Sequence, residues 1–64
     1  MNAKQIARLM CLTVQASTRG EISREERNDI IQSLGDQARE AGIHEEAGLL
    51  YWEMCQTWLN RQAA

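Results

Sequence analysis

The sequence predicts an all-α fold: a small three-helix protein built on an antiparallel αα-hairpin. Three observations carry that prediction. The 64-residue chain has no proline, and with few β-branched residues it lacks the makings of a many-turned sandwich or barrel. Apolar residues recur at helical spacing over three stretches. Helix start and stop signals bracket those stretches. A chain this short forms one domain, 1–64, with one small core, and buries only about 60% of the surface that its unfolded form exposes.

The first helix is predicted from about Ala3 to Ala16. Asn2 stands as N-cap with Gln5 three residues on, the spacing of a capping box. Ile6, Leu9, Met10, Thr13 and Val14 recur on one face. Ser17-Thr18-Arg19-Gly20 reads as the stop, with Gly20 free to take a positive φ. The second helix, about 24–41, has the clearest start in the chain. Ser23-Arg24-Glu25-Glu26 is a full capping box, and its glutamates suit the positive end of the helix dipole. Ile30, Ile31, Leu34, Ala38 and Ala41 form its inward stripe, and Gly42 is the C′ residue, with Ile43 closing the turn against Ala38. The third helix, about 44–61, follows so closely that helices 2 and 3 must run antiparallel.

Helix 3 carries an excess of apolar residues. Ala47, Leu50, Tyr51, Met54, Cys55 and Trp58 fall on one arc, enough to cover the other two helices. Trp52 and Leu59 lie beside that arc, and Leu49 sits within the polar side. A surface helix needs about 100° of apolar arc, and this one has more. In a three-helix bundle of this size each helix is expected to touch two others and then water, so no helix is central. The surplus therefore predicts a protein partner, with a second copy of the chain as the expected one. Leu49, Trp52, Cys55, Trp58 and Leu59 are the candidate interface residues, aromatic anchors being frequent at such sites.

Several function classes are disfavoured by composition. Seven Lys+Arg against nine Asp+Glu give a net charge of −2, with no broad basic field for nucleic acid. Nothing resembles a Gly-rich phosphate loop or a catalytic signature, and neither a cofactor nor enzymatic activity is expected. His44 is the lone histidine, read as a helix-start residue, and no ligand pair has metal-binding spacing. Cys11 and Cys55, 44 positions apart, read as buried thiols of a reducing compartment, the alternative being a bridge within the chain or across a dimer. Arg8 interrupts the apolar N-terminal stretch, and no run approaches the ~20 residues of a membrane span. A cytoplasmic protein is the expectation.

Two resemblances bear on role. Leu34-Gly35, Gly42, Ala47 and Tyr51 stand at the spacing of a tetratricopeptide-type repeat, so residues 28–61 resemble a single such hairpin. Ile31, Ala38 and Met54 depart from it, occupying positions where the repeat carries tryptophan, tyrosine and alanine. The resemblance implies a helical hairpin and a protein-binding role, as in a regulator, inhibitor or adaptor. Ala38, Gly42 and Ile43 are similar to the alanine, turn glycine and aliphatic residue of the DNA-binding helix-turn-helix, which gives the alternative of a transcriptional regulator. Gly48 departs from that pattern, and His44-Glu45-Glu46 would set carboxylates against phosphates.

Overall fold

The computed structural model describes residues 1–63 and consists of three helices: α1 (Ala3–Thr18), α2 (Arg24–Glu40) and α3 (His44–Ala63). No strand occurs among the described residues, so the all-α three-helix expectation holds. Both predicted capping boxes form. Asn2 and Gln5 exchange backbone-to-side-chain hydrogen bonds of 2.8 Å each way, and Ser23 and Glu26 do the same at 3.0 and 3.1 Å. Each box satisfies two amides that a helix start would otherwise leave without acceptors.

The stops are also of one kind. Gly42 takes a φ of +73°, and Ile43 N–H donates to the Ala38 carbonyl (2.9 Å) while Gly42 N–H donates to Arg39 (3.0 Å). Gly20, at φ +79°, ends α1 in the same way, with Glu21 N–H reaching the Ala16 carbonyl at 2.9 Å. These are Schellman closures, and each needs a left-handed residue that glycine adopts without a Cβ clash. Ile43 then packs on the core cluster that contains Ala38, as its position after the glycine implied.

The arrangement of the helices departs from an evenly packed bundle. Helix α1 packs along both α2 and α3, whereas α2 and α3 have the slightest contact of the three pairs. The principal extents are 35 × 24 × 13 Å. The 24 Å width matches two helix-to-helix spacings of about 9 Å side by side, so the order across the molecule is α2, α1, α3. The expectation that no helix is central is thus corrected. The middle place goes to α1, because its alanines and Cys11 let a neighbour approach on either side.

Burial follows from that order. Ala3, Ile6, Ala7, Met10 and Cys11 are buried on α1, against Leu34 and Ala38 on α2 and Ala47 alone on α3. Leu9, expected inside, is 41% exposed, since the buried arc of α1 is centred on Ala3, Ala7 and Met10 instead. Ile30 and Ala41 are likewise exposed, and the inward side of α2 is set by Ile31, Leu34 and Ala38. The inward arc of α3 is as predicted: Ala47 is buried, and Leu50, Tyr51, Met54, Cys55 and Trp58 are half-buried.

Candidate protein-binding edge of α3

The five candidate interface residues divide into two sets. Leu49, Trp52 and Leu59 face away from α1, with exposures of 67%, 62% and 50%. Cys55 and Trp58 are half-buried and turn inward. The exposed set lies at i, i+3 and i+10, with half-buried Gln56 at i+7. That is the alternating three-and-four spacing that keeps side chains in one line along a helix. The line occupies the outer edge of the molecule, because the opposite side of α3 is the one that covers α1.

The two outer edges differ sharply in chemistry. On α2 the exposed side chains include Glu25, Asp29, Asp36 and Glu40, which are readily solvated. Arg39 pairs with Asp36 there at 3.5 Å, the spacing of residues on adjacent turns. On α3 the edge has three large apolar groups in line, and its charged neighbours Glu45, Glu46 and Glu53 are all acidic. Leu9 and Leu12 of α1 and Ile30 of α2 are further exposed apolar residues. Leu9 and Ile30 are expected inside from their spacing, and Leu12 falls outside the predicted stripe; the small residues Ala3 and Ala7 mark the buried arc of α1 only once its neighbours are in place.

Between α1 and α3 runs an open groove of about 590 Å³, lined by Cys11, Leu12, Met54 and Trp58 and by the cations Arg8 and Arg61. Neither arginine has an ion-pair partner among the described residues, where the pairs are Arg39–Asp36 and Arg19–Glu21. Gln15 donates from Nε2 to Cys11 Sγ at 3.4 Å. Beneath the groove the Cys55 thiol faces both the Cys11 thiol and the Tyr51 hydroxyl. Burial pushes the Cys55 thiol up from its ordinary range and the facing Cys11 adds to the shift, while the Tyr51 hydroxyl opposes it. Tyr51 is raised for the same reasons, burial first and Cys55 second.

Among the described residues, no cluster of His, Cys, Asp and Glu is placed to hold a metal ion, and no buried side-chain nitrogen or oxygen lacks a hydrogen-bond partner. His44 is exposed at the start of α3. No described helix is long and apolar enough to cross a membrane. Comparison with protein-family models, curated proteins and solved structures finds no match to the chain.

Proposed function

We propose that this is a non-catalytic, cytoplasmic protein–protein interaction module that binds through the outer edge of α3, with a second copy of itself as its partner. The observation that carries the reading is the exposed line of Leu49, Trp52 and Leu59. Leaving three large apolar side chains in water forgoes about 1.5–3 kcal/mol each of burial energy, and a partner that covers them recovers it. Pairing two such edges gives an isologous interface in which each copy offers the same residues. Trp52 lies between Leu49 and Leu59 in that line, and tryptophan is among the residues most enriched at hot spots. Cys55 and Trp58 set the back of the edge and fix its position on α1.

A DNA-binding role has less support. The start of α3, the helix that would enter a groove, exposes Glu45 and Glu46, and carboxylates there repel phosphates. The tetratricopeptide-like spacing remains an analogy for the hairpin and adds only general support for a protein partner.

The test is sedimentation or light scattering of the wild-type protein and Trp52→Ala across a concentration series. The wild type is expected to self-associate in the micromolar range, and the variant to need at least about tenfold more protein, a loss of 1.4 kcal/mol or more. Helicity by circular dichroism should stay the same, because Trp52 contributes little to the core. A wild type that remains monomeric at millimolar concentration sinks the self-association reading.

A further inference from the structure

The two cysteines occupy equivalent heights on parallel helices. Ala3 of α1 and Ala47 of α3 share the buried core cluster at the end where α2 turns into α3. Both helices run away from that end in the same direction, since α2 runs back between their connections. Cys11 and Cys55 each lie eight residues further on, so each has risen about 12 Å along its own axis. Small side chains are buried on both helices, Ala3 and Ala7 on α1 and Ala47 on α3. Small residues let helix backbones come close, and a disulfide needs Cα atoms only about 5.5–6 Å apart. The Cys55 thiol faces the Cys11 thiol and lies within reach of its charge.

We infer that Cys11 and Cys55 form a redox-active dithiol that closes to an intramolecular disulfide stapling α1 to α3. Both are free thiols in the structure. With a glutathione-type disulfide as oxidant, Cys55, the more exposed of the two, attacks as thiolate. One glutathione thiol leaves, and Cys55 carries a mixed disulfide. Cys11 loses its proton and attacks the Cys55 sulfur, the S–S bond to the second glutathione breaks, and that glutathione leaves as thiol. Two protein thiols have lost two electrons and two protons, and one oxidant disulfide has become two thiols. Burial favours the neutral form of Cys55, so the exchange quickens as pH rises. The staple would hold the part of α3 that carries Trp52 and Leu59, which flank Cys55 in the chain, but the inference does not depend on what that edge binds.

The experiment treats the reduced, full-length protein with oxidised glutathione under denaturant-free conditions and reads intact mass, oligomeric state and thermal midpoint. The expected product has the covalent mass of a single chain less two hydrogens, with its oligomeric state unchanged from the reduced protein and a Cys11–Cys55 linked peptide on digestion. Its thermal midpoint should rise by at least about 10 °C, because the closed loop is long relative to the chain. Cys11→Ser should stop at a stable glutathione adduct on Cys55, since the resolving thiol is gone. Persistent glutathione adducts on the wild type, disulfide-linked dimers, or two thiols that stay reduced would each overturn the inference.

Discussion

The two ends of this molecule are made from the same three helices and differ in how far they close. Where α2 turns into α3, Ala3, Ile6, Ala7, Leu34, Ala38 and Ala47 are all buried. Four of those six are alanines, so the backbones approach closely and Ile6, 1% exposed, fills the space that is left. Toward the other end, Val14, Ile31, Met54 and Trp58 are only half-buried, and half-buried Gln15 and Arg27 add polar bulk. Large or polar side chains there leave much of their own surface to water. The difference teaches that closure in a chain this small depends more on small residues at the seam than on the number of large apolar ones.

Three isoleucines allow that contrast to be measured with one substitution. Ile6 lies at the closed end, Ile31 half-buried on α2, and Ile30 exposed beside it. Ile6→Ala should cost about 3 kcal/mol, since the alanine-rich surroundings cannot collapse into the cavity. A domain of this length is expected to have roughly 3–10 kcal/mol of stability in all, so this variant should lose about a third of it or more. Ile31→Ala should cost about 1 kcal/mol, because half its surface is already wet. Ile30→Ala should change stability by less than about 0.5 kcal/mol, lost contact being offset by the better helix propensity of alanine. Urea denaturation of the three variants checks the order. Equal losses at Ile6 and Ile31 would remove the distinction between the ends.

How much of this was legible in the sequence depends on the range of the interaction involved. The helix starts at Asn2 and Ser23 and the stops at Gly20 and Gly42 were read almost to the residue, because caps are settled by neighbours three to five positions away. The inward arc of α3 was legible too, since its six residues alternate at helical spacing around Ala47. What escaped was the central place of α1. Its Ala3, Ala7 and Cys11 carry weak hydrophobic signals, and Leu9 carries a strong one, so a reading weighted by size turned the helix the wrong way. Small residues report close approach only once the partner helix is known. The edge of α3 was legible as an apolar surplus at Trp52 and Leu59, but its straight line from Leu49 through Gln56 becomes apparent only when α1 fixes which side faces out.

The smallest predicted effect separates the two capping boxes, one at each end. The closed end begins α1 with Asn2 and Gln5, neither of which titrates; the open end begins α2 with Ser23 and the carboxylate of Glu26. Asn2→Ala and Ser23→Ala should each cost about 1 kcal/mol at neutral pH. Acid should tell them apart. The Ser23 backbone N–H, and after it the Ser23 hydroxyl, hold Glu26 below the usual carboxylate range. Its folded-state value is therefore below its unfolded one, so the stabilisation is fully present above the unfolded value and is lost as pH falls through the folded one. Between about pH 6 and about pH 2, the Ser23 amide should lose its protection from hydrogen exchange and shift its resonance, while the Asn2 amide keeps its own. Both boxes weakening together, or neither, would show that the start of α2 is not held by the Glu26 charge, and that acid acts on the fold as a whole.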